Sequence, residues 1–164
     1  MSEQAATIIG TDNALQVLTI GLGGEVFALP ASIVREILDP CPTTPVPTSK
    51  PFVSQLISLR GRVLPLADLR LRFGMPVVPN TIDTRIVVLQ FDIDNEETTV
   101  GVLADKVYEV TELDSVVADE VPPVGLRCNP IFVSAIGRRN DQFVMILDMD
   151  KVFGITETVR DQNV

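Results

Sequence analysis

The residues best suited to specific binding chemistry are four arginines of an otherwise acidic chain. They are Arg60, Arg62, Arg70 and Arg72, which lie within 13 residues. A guanidinium group can bind a carboxylate through two parallel hydrogen bonds, so such a cluster can contact an acidic partner. It can equally be a solvated helix face on which Asp68 and Arg72 form an i,i+4 ion pair. Spacing alone does not separate these two interpretations.

Arg60 differs from the other arginines because it directly precedes a turn glycine, Gly61. A long guanidinium in that position can hold several backbone carbonyls and a carboxylate at once. We therefore expect Arg60 to act mainly as a structural latch.

A strand predicted over 34–38 provides a second candidate surface. Alternation along that strand places Val34, Glu36 and Leu38 on one face, and Arg35 and Ile37 on the other. An apolar residue beside a carboxylate is ordinary at a sheet edge and is also found at the rim of a binding groove. The sequence leaves both interpretations open.

Two further segments resemble ligand-binding motifs but lack required residues. Gly21–Gly24 has neither the Lys-Ser/Thr of a phosphate loop nor a following helix. Asp92, Asp94 and Glu96 alternate as calcium ligands do, but the glycine at the sixth loop position and the glutamate at the twelfth are missing. We expect both segments to be hairpin turns, and we expect no metal or cofactor.

Composition excludes several functional classes. The 164 residues contain no histidine, which excludes histidine-dependent triads and a phospho-accepting histidine. Cys41 and Cys128 cannot form a zinc site unaided, although one remote disulfide stays open. The formal charge of −9 disfavours nucleic acid as a partner. Nothing assembles a nucleophile, a base and an oxyanion hole, so we expect no enzymatic activity.

The sequence shows neither the pattern of a signal peptide nor that of a membrane-spanning segment. The first ten residues carry no lysine or arginine, unlike a signal peptide. No apolar run approaches the roughly 18–20 residues that span a membrane. We expect a cytoplasmic protein with no direct membrane insertion.

Short apolar runs separated by turn residues must position the candidate side chains. About ten short strands are predicted, over 15–20, 25–29, 34–38, 52–59, 62–66, 85–93, 98–104, 106–112, 131–137 and 142–147. Short helices are predicted at 67–73 and 149–153, an extended proline-rich connection at 40–51, and a loop at 114–130. This pattern predicts an all-β barrel or sandwich, and ten strands suit two small five-stranded barrels.

One unbroken stretch, 56–74 (LISLRGRVLPLADLRLRFG), closely resembles the signature of the CheW family. Three other segments are similar to parts of that family: LTIGLGGEVFALPASIVREIL, TTVGVLADKVYEVTEL and FVMILDMDKVFG. Together they cover about 15–154. Ser58 stands where the family's turn motif usually has asparagine, and 40–51 is unusually rich in proline.

The resemblance implies an all-β fold of two packed five-stranded SH3-like β-barrels with short helices. A single CheW-like domain would span 15–154, with tails at 1–14 and 155–164. Its two barrel subdomains would be the approximate halves 15–80 and 81–154, and exchange of strands between them is left open.

The resemblance also implies a non-enzymatic adaptor that links the cytoplasmic tips of methyl-accepting chemoreceptors to the regulatory domain of a CheA-type histidine kinase. By this resemblance we expect Val34, Glu36 and Arg60 at the receptor-binding surface. The matched motif positions expected to hold the turn and helix are Gly61, Pro65, Asp68 and Arg70. Contact with the kinase would use barrel ends, for which no residues are assigned.

Two alternatives stay open at this stage. The same kind of adaptor could serve a non-flagellar array that governs pilus motility or development. A small-ligand-binding β-barrel is the alternative of a different class. We expect a monomer when isolated, which joins membrane receptor arrays only through its partners.

Overall fold

The computed structural model describes residues 16–47, 50–113, 115–118, 129–139 and 142–154. The expected tails and Cys128 lie outside the described residues. The strands are β1 (Gln16–Leu22), β2 (Glu25–Pro30), β3 (Val34–Leu38), β4 (Thr44–Pro45), β5 (Gln55–Leu59), β6 (Arg62–Ala67), β7 (Arg85–Ile93), β8 (Glu96–Ala104), β9 (Lys106–Glu112), β10 (Ser115–Ala118), β11 (Val133–Arg139) and β12 (Gln142–Leu147). The helices are α1 (Leu69–Phe73) and α2 (Met149–Gly154), and 3₁₀ turns cover Ala31–Ile33 and Pro130–Phe132.

The strands form two sheets, and each sheet draws strands from both halves of the chain. The first sheet has the order β10-β11-β12-β2-β1-β9, and the second has the order β3-β7-β8-β6-β5-β4. The first hairpin, β1–β2, therefore joins the late strands, while β7 and β8 join the early ones. The sheets do not follow the approximate halves 15–80 and 81–154.

Each sheet contains one more strand than the five expected, and the additional strands are short. β10 occupies residues 115–118, which were expected to be loop, and it pairs with β11 at the sheet edge. β4 pairs two residues of the proline-rich connection with β5. Pro45 fits there because an edge strand leaves one side of its backbone unpaired. Such short pairings depend on distant strands and leave little local signal.

The long apolar runs form strands that are buried on both faces. In β7, Ile86 and Val88 face one apolar cluster while Val87 and Leu89 face another. Each sheet has its own cluster, and the third, here called the central core, lies between the sheets. The first-barrel core consists of Val17, Ala28, Leu113, Ala135, Val144 and Ile146. The second-barrel core consists of Ile57, Leu64, Leu66, Ile86 and Val88. This arrangement confirms the expected all-β fold of two packed SH3-like barrels.

Helix α1 is short because both of its ends are capped. The Asp68 side chain accepts a hydrogen bond from the backbone N–H of Arg70 at 3.0 Å, and Gly74 closes the helix with φ of 76°. The helix begins at Leu69, two residues later than expected, because Ala67 still belongs to β6. Glycine is favoured at the closing position because the left-handed region is costly for other residues.

Arg70, one of the motif positions expected to hold the turn and helix, forms the kind of structural latch that was predicted mainly for Arg60. Its side chain is buried, and its Nε and one terminal nitrogen donate to the two Asp68 carboxylate oxygens at 2.9 Å each. The other terminal nitrogen donates to Asp105 at 3.0 Å and to the Val78 carbonyl at 3.2 Å. The hydrogen bond to Asp68 is the largest cause that raises the pKa of the Arg70 guanidinium. One side chain thus ties α1 to the loop after it and to the β8–β9 junction.

Arg72 does not form the expected ion pair with Asp68, because Asp68 is already bound by Arg70. The Nε of Arg72 donates to the Val152 carbonyl at 2.9 Å. Its guanidinium lies over the Phe52 and Phe132 rings, at 5.1 and 4.7 Å from their centroids. Arg72 therefore connects α1 to α2 and does not lie on a solvated helix face.

We predict that Arg70→Met lowers the free energy of unfolding by about 2–4 kcal/mol, because it leaves Asp68 and Asp105 without their cation in a partly buried site. Chemical denaturation at neutral pH measures this loss. Arg85→Met is the matched control, since Arg85 donates to the Ile82 and Thr84 carbonyls and its carboxylate neighbour, the exposed Asp39, lies as far away as 3.6 Å. The control loss is expected to stay below about 1 kcal/mol. Equal losses in the two variants would contradict the latch role.

Candidate functional site

A groove of about 200 Å³ opens on the second sheet beside its edge strand β3. The buried side chains of Leu64 and Val88, which belong to the second-barrel core, contribute its apolar lining. Longer polar side chains surround this apolar surface. The residues that line the groove, here called the β3 groove, are Arg35, Glu36, Leu59, Arg60, Arg62, Leu64, Val88, Gln90 and Thr99.

A β-bulge in β3 decides which side chains reach this groove. Val34 lies opposite Leu89 of β7, whereas Glu36 lies opposite Val88, so Arg35 is the extra residue of the bulge. A bulge re-aims the side chains of its strand by inserting one residue against the partner. Arg35 and Glu36 therefore line the same groove, although simple alternation put them on opposite faces.

The same bulge separates Val34 from Glu36, which corrects the expectation that they share a face. Directly opposed residues of an antiparallel pair project to the same side. Val34 follows Leu89 toward the central core and packs against it, while Glu36 follows Val88 toward the second-barrel core. Of the three residues expected at the receptor-binding surface, Glu36 and Arg60 line the groove. Val34 does not line it and packs against the central core on the other face of β3.

Arg60 and Gly61 form the two central residues of the tight turn between β5 and β6. Their φ values are 50° and 81°, so both lie in the left-handed region. Two-residue hairpins favour such turns, and asparagine-glycine is the preferred pair for them. An arginine at the first position is conformationally costly. A local rule broken at a groove residue indicates that the side chain has a role beyond the turn.

The Arg60 side chain forms an ion pair with Glu36 across the groove rim. Arg60 is largely exposed, with 68% of its side chain accessible, and Glu36 is 30% accessible. The hydrogen bond from Arg60 is the largest cause that lowers the pKa of the Glu36 carboxyl. Since this bond favours the charged carboxylate, the pair is intact at neutral pH and is lost only when acid protonates Glu36.

The other motif positions, Pro65, Asp68 and Arg70, lie in or next to β6 and do not line the groove. β6 pairs with β5 along its length but meets β8 only at Leu66 and Ala67. Pro65 therefore lies in the part of β6 that pairs with β5 and precedes the pairing with β8, a position that tolerates the missing N–H. Asp68 and Arg70 belong to the latch next to β6 and do not line the groove.

The two weaker motifs are turns, as expected. Gly23 and Gly24 form the β1–β2 turn with φ of 58° and 85°, and the Gly23 N–H donates to Asp105 at 2.8 Å. Asp94 and Asn95 form the β7–β8 hairpin tip. Within the described ranges, no group of three or more metal-ligating residues is present.

The arrangement at the β3 groove is suited to holding a polypeptide against an apolar floor.

Sequence reasoning missed Arg35, Gln90 and Thr99 as groove residues. Gln90 and Thr99 lie opposite each other on β7 and β8, and Gln90 accepts a hydrogen bond from Arg35 at 2.7 Å. Only the bulge brings Arg35 to this side. A single sequence carries no local signal for such a bulge, since neither a glycine nor a break in the strand pattern marks it.

We predict that Arg60→Asn leaves the free energy of unfolding unchanged or raises it. Asparagine adopts the left-handed conformation more readily, which offsets the loss of an exposed ion pair. Chemical denaturation of both proteins checks the sign. Gly61→Ala is the comparison variant and is expected to destabilise by about 1 kcal/mol, because its φ of 81° disfavours any residue with a Cβ. A clear loss of stability in Arg60→Asn would mean that the Arg60 side chain maintains the fold.

The Glu36 titration provides an independent test of the ion pair. In the wild type, the Glu36 carboxyl is expected to titrate below the usual glutamate range, because the charged form is hydrogen-bonded to Arg60. In Arg60→Asn the midpoint is expected to move upward toward that range. Carboxyl chemical shifts followed by NMR across acid pH measure both midpoints. Identical midpoints would contradict the pairing in solution.

The chain is similar to known proteins in both sequence and fold. Residues 16–157 match the family model described as CheW-like domain. The chemotaxis protein CheW of Helicobacter pylori is 30% identical over 141 residues, which cover 86% of this chain and 82% of that protein. Protein PilI of Pseudomonas aeruginosa is 24% identical over 125 residues, covering 76% of this chain and 67% of that protein.

Among solved structures, the scaffolding protein TtCheW from Thermoanaerobacter tengcongensis matches with a TM-score of 0.72 and 27% identity, over 85% of this chain and 88% of that chain. Neither helix among the described residues has the length and hydropathy of a membrane-spanning segment. The match over residues 16–157 includes both sheets, the β3 groove and the Arg70 latch, and the chain therefore belongs to the CheW-like domain family.

Proposed function

We propose that this protein is an adaptor in chemotaxis signal transduction, which links the cytoplasmic tips of chemoreceptors to a CheA-type histidine kinase. The observation that carries the proposal is the β3 groove in a chain of the CheW-like family. Relatives over most of the chain are named as chemotaxis proteins, and a structural neighbour is named as a scaffolding protein.

The β3 groove is the proposed receptor-binding surface. A receptor tip made of paired helices presents apolar side chains at helical spacing, and a groove with an apolar floor accepts such a stripe. Leu64 and Val88 provide that floor, while Glu36 and Arg60 form a polar rim. Val34 contributes indirectly, because it anchors β3 to the central core. We infer that binding and not catalysis is the task of this surface.

An adaptor needs a second surface, and the edge strand β9 of the first sheet is the best candidate for contact with the kinase. Two large apolar residues of this strand, Tyr108 and Val110, have 50% and 60% of their surface exposed to solvent. Edge strands offer unpaired backbone groups and usually avoid exposed apolar side chains. β9 belongs to a different sheet from β3, so two partners could be held at once.

Signalling through such an adaptor requires only a modest energetic coupling. If the complex with one receptor state favours the active kinase, a difference of about 1–3 kcal/mol in binding free energy changes kinase activity severalfold or more. The adaptor itself would act in the cytoplasm as a monomer and would reach the membrane arrays through its partners.

A second candidate is the same adaptor in a non-flagellar array, such as one that governs pilus motility or development. Its support is the similarity to Protein PilI, a relative whose name does not mention chemotaxis. The two candidates differ in their kinase and receptors and share the groove. Identifying which kinase co-sediments with the protein distinguishes them.

We predict that this protein recruits the kinase to clustered receptor cytoplasmic fragments and changes kinase activity. Co-sedimentation of all three components, with each omitted in turn, measures recruitment, and phosphorylation assays measure activity. Binding to neither partner would contradict the adaptor function while leaving the fold assignment intact.

Thr99→Trp tests the groove within the same assay, because a large side chain at this groove residue fills the space without changing charge. It is expected to weaken receptor binding about tenfold or more while the kinase still binds. Ser58→Trp is the matched control, since Ser58 is exposed on the same sheet and does not line the groove. Normal receptor binding by Thr99→Trp would move the receptor surface elsewhere.

A further inference from the structure

We propose that the β3 groove selects an acidic segment of its protein partner, and that Arg35 and Arg62 set this preference. The inference rests on the proposed adaptor function and adds the chemistry of the receptor segment that binds.

The groove has a charge opposite to that of the chain as a whole. Its lining includes three arginines and one glutamate, a surplus of two positive charges, on a chain with a formal net charge of −9. Charge patches of this kind suppress wrong partners and raise the rate of encounter with complementary ones. The patch is therefore a local feature that the overall composition does not explain.

The three arginines of the groove differ in whether a carboxylate already neutralises them. Arg60 is neutralised by Glu36. Arg35 donates to two neutral acceptors, the Gln90 side chain at 2.7 Å and the Ser32 carbonyl at 3.0 Å. Among the residues that the structure describes, neither Arg35 nor Arg62 forms an ion pair. Two guanidinium charges are thus available to an incoming carboxylate.

Arg35 is oriented in advance for this contact. The bulge in β3 turns it into the groove, and its two hydrogen bonds hold the long side chain there. Ordering a flexible arginine on binding costs conformational entropy, and a side chain already held avoids part of that cost. The hydrogen bonds use its Nε and one terminal nitrogen, so further N–H groups remain for a partner's carboxylate.

The apolar lining indicates that the acidic ligand is a protein segment. Leu59, Leu64 and Val88 offer contacts for apolar side chains beside the arginines. An anionic membrane surface would not fill a concave apolar site, and it would repel a chain of this net charge. We therefore expect an amphipathic segment that carries aspartate or glutamate next to its apolar stripe.

The test measures binding of a chemoreceptor cytoplasmic fragment to the full chain and to Arg35→Glu and Arg62→Glu, at salt concentrations from about 50 to about 300 mM. Each reversal is expected to lower affinity about tenfold and to flatten the salt dependence. Arg138→Glu is the control, because it makes the same change in net charge at an exposed position on the first sheet. Thermal unfolding of each variant confirms that it folds.

Exchanging the charges between the two proteins identifies which receptor residue contacts Arg35 or Arg62. Aspartate and glutamate residues of the receptor tip are replaced singly by lysine, and each variant is measured against the wild type and both reversals. A lysine variant that binds Arg62→Glu or Arg35→Glu better than the wild type would identify the contacting acid and support the proposal.

The outcomes separate this inference from the proposed function. Receptor binding that is independent of salt and unchanged in both reversals overturns the acidic preference and leaves the adaptor function standing. Binding of anionic vesicles that depends on Arg35 and Arg62 overturns it in favour of a lipid ligand. Failure of the wild-type chain to bind any receptor fragment overturns both proposals.

Discussion

The architecture depends on one buried cation. Arg70 neutralises Asp68 and Asp105 and also binds the Val78 carbonyl, so it connects α1, the loop toward β7 and the β8–β9 junction. Asp105 extends the connection to Gly23 in the first hairpin. Because β1 and β2 belong to the first sheet and α1 follows β6 of the second, this network joins the two barrels. A buried arginine without these partners would be strongly unfavourable, so the network forms as a unit.

The groove depends on a second constraint, the extra residue in β3. In a regular strand with Glu36 kept opposite Val88, Arg35 would leave the groove face and Val34 would occupy it. With the bulge, Val34 anchors the strand to the central core while Arg35 and Glu36 line the groove. The edge position of β3 makes this possible, since a strand with one hydrogen-bonded neighbour can accommodate an inserted residue more easily than a central strand.

Much of the fold was predictable from local patterns, whereas pairwise contacts were not. The β3, β7 and α1 segments, with Gly74 at the end of the helix, follow from apolar periodicity and capping chemistry. The exchange of β1–β2 into the later sheet was left open because pairing partners are set by distant contacts. Arg70 holds the helix, as the resemblance implied, whereas Arg60, which its place before Gly61 predicted to be mainly a latch, pairs with Glu36 at the groove rim. Only burial and the position of Asp105 distinguish them, and neither is visible in the spacing of one sequence.

An adaptor must keep its two surfaces in a constant relation, and the contacts between the helices provide the means. The Arg72 guanidinium contacts the rings of Phe52, which precedes β5 of the second sheet, and Phe132, which precedes β11 of the first. The same side chain binds the carbonyl of Val152 in α2. Cation–π contacts gain strength when they are shielded from water, and two rings limit the tilt of a planar group. The β3 groove therefore belongs to a body in which the two barrels are joined by charge at Arg70 and by cation–π contacts at Arg72.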